Sequence, residues 1–240
     1  GRGGEAGRGA YEGMTSYPVP ELYVSIDPVT RKMAFDAKRA EVFGEIINNS
    51  KFDFIKILSV KDSATFDNIA AAAKKYGIPI CGHKPKRVSL EHVINSGYKS
   101  ISHLGGYANL YNESAEALHK ALMLTKEKNV YQDITLDWYN VVYHQAPVEE
   151  LLARAGMEHM HDSVKQNWVQ RREAFKAKYS DSVYARILRK GAKAVSDRVA
   201  IIKQMNAMDI GLLIGSEGGG DFMVAGFNMY EEMVAMQQAG

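Results

Sequence analysis

Alternation of strand-like and helix-like segments predicts an α/β protein with a parallel sheet, of the (β/α)₈ TIM-barrel kind and incomplete at its N-terminus. Three observations carry this expectation. The strand candidates are near-continuous apolar runs, as expected when both faces of a sheet are covered. Each is followed by a segment with helical spacing of its apolar residues. Ionisable residues cluster at the C-terminal ends of the runs, which in barrels is the rim that carries the chemistry. Six strand units are found against the eight of a complete barrel, so two are expected to be missing at the front.

The elements follow in order. "ELYVSID" (21–27) reads as a short strand before a turn. Residues 31–49 have helical spacing, with Met33, Phe43, Ile46 and Ile47 among charges. "FDFIKILSV" (52–60) is the second strand. Residues 63–77 form a helix, with Ser63 as N-cap and Gly77 as C-cap. "IPICGH" (78–83) is a strand, 89–97 a short helix and "KSISHL" (99–104) a strand. Residues 112–129 form a helix and "VYQDITL" (130–136) a strand. The stretch 138–208 is mostly helical and long for one crossover. "IGLLIGSE" (210–217) is the last strand, followed by the helix "GFNMYEEMVAMQQ", whose methionines read as core packing.

The chain has 240 residues, 46% hydrophobic and 24% charged, an ordinary globular balance. A net charge of +2, with basic residues scattered among acidic ones, argues against a nucleic-acid partner. No apolar run approaches the roughly 20 residues of a membrane-spanning helix. A single cysteine, Cys81, excludes internal disulfides and Cys-based zinc sites. The Gly- and charge-rich residues 1–20 read as loop or disordered, and 21–240 as one partial barrel. Both ends look cut, so compartment is left unassigned, and oligomeric state is open.

Lys56 lies inside the apolar run "FDFIKILSV", where a buried, unpaired ammonium would be costly. Either its head reaches water from a strand end, or it sits at a barrel mouth and holds metal. His83 ends "IPICGH", His103 nearly ends "SISHL" and Glu217 ends "IGLLIGSE". Lys56 and His83 are 27 residues apart and His83 and His103 are 20 apart, each about one βα unit. Alternation places Ile101 with His103, Cys81 with His83, and Gly211, Leu213 and Gly215 with Glu217. Two imidazoles and a carboxylate are a usual ligand set for a hydrolytic divalent ion such as zinc. Taken singly, either His has the alternative of capping a strand end and bonding a loop carbonyl.

The stretches "FDFIKI", "AAAKKYGIPICGHKPKRVSLEHVINSGYKSISHLGGY" and "IGLLIGSEGGGDFMVAGFNMYEEMVAMQQAG" resemble the metal-dependent amidohydrolase superfamily, in its imidazolonepropionase-like and Xaa-Pro dipeptidase-like branch. The resemblance runs from about residue 50 and is weakest in 138–208. It implies a distorted (β/α)₈ barrel, of which strands 3 to 8 are present here. It implies that Lys56 matches the strand-4 lysine, carboxylated and bridging two metals in binuclear members, and that His83 and His103 match the strand-5 and strand-6 metal ligands. Glu217 falls where the family has the Asp that binds metal and shuttles the proton.

Three departures stand out. The strand-1 His-x-His is absent, and the only such spacing, His159 and His161, lies in a charged segment read as solvent-facing. "GSE" replaces "GTD", with Asp221 as a possible substitute for the carboxylate. Ser102 stands where Glu is common. The expected activity is hydrolysis of a C–N bond, amide or cyclic amide, in a small substrate by metal-activated water, with zinc, one or two ions, or manganese. The alternatives are a degenerate, non-catalytic relative and a phosphate-ligand barrel isomerase or lyase built on "GSEGGG". Gln132 and Asp133 are candidate substrate contacts. Trp138, Tyr139 and Trp168 either line a substrate pocket or, as the favoured reading, pack between helices, and His92, His119 and His144 are expected to lie at the surface.

Overall fold

The computed structural model describes residues 23–25, 37–49 and 52–240. The glycine-rich segment 1–20 and the start of the first expected helix lie outside the described residues. The chain forms two compact units, one ending at Ile101 and the other beginning at Ser102.

The first unit alternates β1 (Tyr23–Ser25), α1 (Ala37–Asn49), β2 (Phe54–Ile57), α2 (Ser63–Tyr76), β3 (Ile80–Gly82), α3 (Leu90–Asn95) and β4 (Tyr98–Ser102), whose last residue opens the second unit. The strands pair in parallel in chain order, with Ser25 opposite Lys56 and Lys56 opposite Cys81. Ile55, Ile57 and Ile80 are almost fully buried, whereas Lys56 and Cys81 between them are half-buried. This is the two-residue alternation of a strand. Helix α2 is capped by the carboxylate of Asp62, which accepts from Thr65 N at 2.8 Å. The cap therefore lies one residue before the expected Ser63. Gly77 closes the helix in the left-handed conformation (φ 66°), as expected.

The second unit contains α4 (Tyr107–Glu113), α5 (Ala115–Glu127), β5 (Tyr131–Ile134), α6 (Leu136–Val142), α7 (Val148–Leu152), a 3₁₀ turn (Met157–His159), α8 (Asp162–Lys176), α9 (Asp181–Ala207), β6 (Leu212–Ile214) and α10 (Phe227–Ala239). The expected helix 112–129 is split at Ser114, whose hydroxyl accepts from Ala117 N and starts α5 anew. β5 and β6 are parallel, with Asp133 opposite Leu213. Trp168, Leu151 and Met157 pack with Phe222 and Met223 into one apolar cluster, so Trp168 is core as expected. Among the described residues no helix is long and apolar enough to cross a membrane. The architecture is α/β with parallel strands, in agreement with the sequence pattern.

Candidate active site

Each of the four rim residues lies at or near a strand's C-terminal end, two in each unit. In the first unit Lys56 occupies β2 and His83 directly follows β3. In-register pairing sets Lys56 beside Cys81, two residues before His83. The backbone of His83 is held firmly: its N–H donates to Ile57 O at 2.7 Å, and its carbonyl accepts from the Tyr98 hydroxyl at 3.1 Å. Gly82 makes this approach possible. A Cβ there would lie 2.4 Å from Ile57 O, and its φ of 110° suits only glycine.

In the second unit His103 and Glu217 meet, with Nε2 and Oε1 3.1 Å apart. Both are in the left-handed backbone region, at φ 63° and 42°. For non-glycine residues this costs on the order of 1–3 kcal/mol each, and such strain concentrates at functional sites. At His103 it is sustained by two backbone bonds: its N–H donates to Asp133 O at 2.9 Å, and its carbonyl accepts from the Tyr139 hydroxyl at 3.0 Å. The ring is fixed as well. Nδ1 lies 2.6 Å from Thr135 Oγ1, Trp138 stacks on the ring at 5.4 Å and Tyr139 meets it edge-on at 6.4 Å. Arg198 lies over the Tyr139 ring, 3.5 Å from its centre. Burial raises the Tyr139 phenol pKa above its usual value, against the opposing pull of Arg198.

Asp133 borders this pair. Its carboxylate accepts from the buried Ser102 hydroxyl at 2.9 Å. Gly215 leaves the room: a Cβ there would be 2.0 Å from Asp133 Oδ1. Gln132 behaves differently from the expected substrate contact. It is fully buried and its amide donates to the Tyr107 hydroxyl at 3.1 Å. Asp221 is held by Arg171 through two hydrogen bonds, at 2.9 and 2.5 Å. His161 caps α8 and, like His159, is solvent-exposed. His144 departs from the surface reading: it is half-buried, with Nδ1 3.0 Å from the Tyr184 hydroxyl and its ring edge-on to Phe175. Its pKa is lowered by burial and by Arg172.

The donor chemistry of the pair can be compared with that of a metal site. When Nδ1–H donates to Thr135, Nε2 turns a lone pair toward a carboxylate. Two electron-rich groups at 3.1 Å then need a cation between them, either a proton or a metal ion. A histidine ligand oriented through its other nitrogen is a common feature of metal sites. When Thr135 donates instead, Nε2–H bonds Glu217 directly. The pair thus fits as one imidazole and one carboxylate of a ligand set. Among the described residues no three or more His, Cys, Asp or Glu side chains gather as a metal cluster.

A fold of parallel strands alternating with helices, with polar residues at the strand ends, defines an α/β protein of the kind that carries its site at that edge. No known protein family's sequence pattern matches the chain, and no curated protein matches it in sequence. Among solved structures, bottromycin amidohydrolase superposes on 91% of this chain and 50% of its own length, with a TM-score of 0.56 and 19% identity. A Xaa-Pro dipeptidase with methionine bound in its active site covers 85% of this chain and 43% of its own, with a TM-score of 0.49 and 13% identity. The chain spans half or less of the length of these two structures. At 19% identity, the first likeness is one of fold.

Thr135 was not among the expected site residues, nor was Glu232, whose carboxylate accepts from the first two N–H groups of α6. "QDIT" did carry a signal, because Asp133 and Thr135 alternate onto one face at the end of their strand. Glu232 carried none.

Proposed function

We propose that the chain is part of a hydrolase acting on C–N bonds, amide or cyclic amide, of a small substrate, with the fold of a partial (β/α)₈ barrel of amidohydrolase type. The observation that carries this reading is the strained, fully oriented His103–Glu217 pair at the strand ends. The fold likeness to bottromycin amidohydrolase supports it. Glu217 acts as the proton carrier: its Oε1 accepts the proton of the attacking water and returns it to the leaving nitrogen. When no ion is bound, His103 orients that carboxylate through Nε2–H, while Thr135 holds Nδ1. The indole of Trp138 lies beside the imidazole, its ring centre 5.4 Å away.

A divalent ion, zinc or manganese, would be held by His103 and Glu217, and when bound it supplies an acidified water and a polarised carbonyl. Lys56, carboxylated as the resemblance implies, and His83 are proposed as metal ligands of the first unit. The phosphate-cradle reading is disfavoured, because the "GSEGGG" loop itself carries the carboxylate of Glu217, which faces His103.

The test is metal content after dialysis, with hydrolysis of N-acyl amides before and after chelation. The expected result is a bound divalent ion in the wild type, activity lost on chelation and restored by zinc or manganese, and metal lost in His103→Asn. Metal retention unchanged in His103→Asn would overturn the assignment of that ligand. A wild-type protein that binds no metal and cleaves no amide would favour the degenerate-relative reading.

A further inference from the structure

Helix α6 begins at Leu136, directly after Thr135. Threonine at that position ordinarily caps the helix by accepting from a backbone N–H two or three residues on. Here Thr135 makes no such bond, because its hydroxyl faces His103 Nδ1 at 2.6 Å. The first N–H groups of α6 are satisfied from a distant part of the chain. Glu232, on α10, accepts from Leu136 N at 2.8 Å through Oε1 and from Asp137 N at 2.7 Å through Oε2. The glutamate is 1% exposed. A carboxylate is buried this deeply only where specific donors hold it.

Helix α6 is also what touches His103. Trp138 stacks on its ring, Tyr139 meets the ring edge-on, and the Tyr139 hydroxyl donates to its carbonyl. The chain of contacts therefore runs from α10 through Glu232 to the start of α6, and from α6 to the imidazole. Asp137 does not compete for the cap, since its own carboxylate is held by Arg154 in two bonds of 2.9 Å.

We propose that Glu232 is a positioning residue of the His103–Glu217 pair: it replaces the cap that Thr135 gives to His103, and so fixes the angle at which Trp138 and Tyr139 lie on the imidazole. This rests on reading that pair as the active site. It makes the last helix a structural partner of the site, although its sequence shows no catalytic motif. Glu232 touches no reacting atom in this account.

The test uses the two tryptophans as probe and control. Trp138 lies on His103, whereas Trp168 lies in the apolar cluster beside Phe222. In protein labelled with 5-fluorotryptophan, the two fluorine resonances are assigned with Trp138→Phe. Glu232→Ala is expected to shift or broaden the Trp138 resonance and leave that of Trp168 in place, with Glu232→Gln intermediate because it keeps one acceptor. In the hydrolysis assay kcat falls while KM holds. Equal movement of both resonances, or movement of neither in a folded variant, overturns the proposal.

Should the variants not fold, amide exchange in the wild type decides. Leu136 and Asp137 N–H are expected to be protected at least about tenfold more than uncapped helix starts, the equivalent of roughly one capping bond. Exchange at the rate of exposed amides overturns the proposal. A Trp138 resonance that responds to Glu232 in a chain that hydrolyses nothing retains the positioning role and removes the hydrolase reading.

Discussion

At the scale of residues, the site depends on small groups that make room for polar ones. Gly215 shows this most sharply, since the carboxylate of Asp133 occupies the space where its Cβ would stand. Gly215→Ala must push that carboxylate away and break its bond to Ser102. The expected cost is about 1–3 kcal/mol, read as a lower urea midpoint, whereas alanine at the exposed Gly218 should cost less. His103 and Glu217 were legible in the sequence because a charged residue ending an apolar run has few reasons to be there. Thr135 was not, because its partner lies 32 residues away and its position before a helix suggests an ordinary cap. Lys56 stands beside Cys81 in the parallel register, and His83 directly follows that strand.

At the scale of elements, the sequence order of strands and helices was readable from apolar runs, and helix ends from Gly and Ser. What misled was α10. "MYEEMVAM" reads as core through its methionines, yet Met229, Tyr230 and Met233 are exposed, while Glu232 is buried. A glutamate in an amphipathic pattern gives no local sign that a helix start 96 residues away will claim it.

Burial raises the Glu232 pKa from its ordinary 4.5 to about 7. The two backbone N–H groups pull it down, and the nearby Asp137 and Asp133 push it further up. Between about pH 4.5 and 7 the folded protein therefore holds a proton that the unfolded chain has released. The stability contributed by protonated Glu232 is fully present below about pH 4.5 and is lost as pH rises through about 7. The difference is of the order of 3 kcal/mol. Urea midpoints measured from pH 5 to pH 8 should fall in the wild type, and this fall should be largely absent in Glu232→Gln. An equal fall in both proteins would assign the pH dependence to other groups.

At the scale of the whole molecule, the second unit ends its parallel strands with an apolar surface. Leu213 and Ile214 of β6 are about 40% exposed, and Phe227, Met229 and Tyr230 of α10 are exposed as well. Such a face favours association and low solubility. Ile214→Lys is expected to raise the soluble fraction and reduce binding of a hydrophobic dye, with the far-UV dichroism unchanged.

The proposed amide hydrolysis rests on the His103–Glu217 pair, with Glu217 carrying the proton. The most direct measurement is kcat on a panel of N-acyl amides, with zinc or manganese added, for the wild type, Glu217→Asp and Glu217→Gln. The wild type is expected to turn over, with a loss of about a hundredfold or more in Glu217→Gln and a smaller loss in Glu217→Asp. Equal rates in the wild type and Glu217→Gln would contradict it.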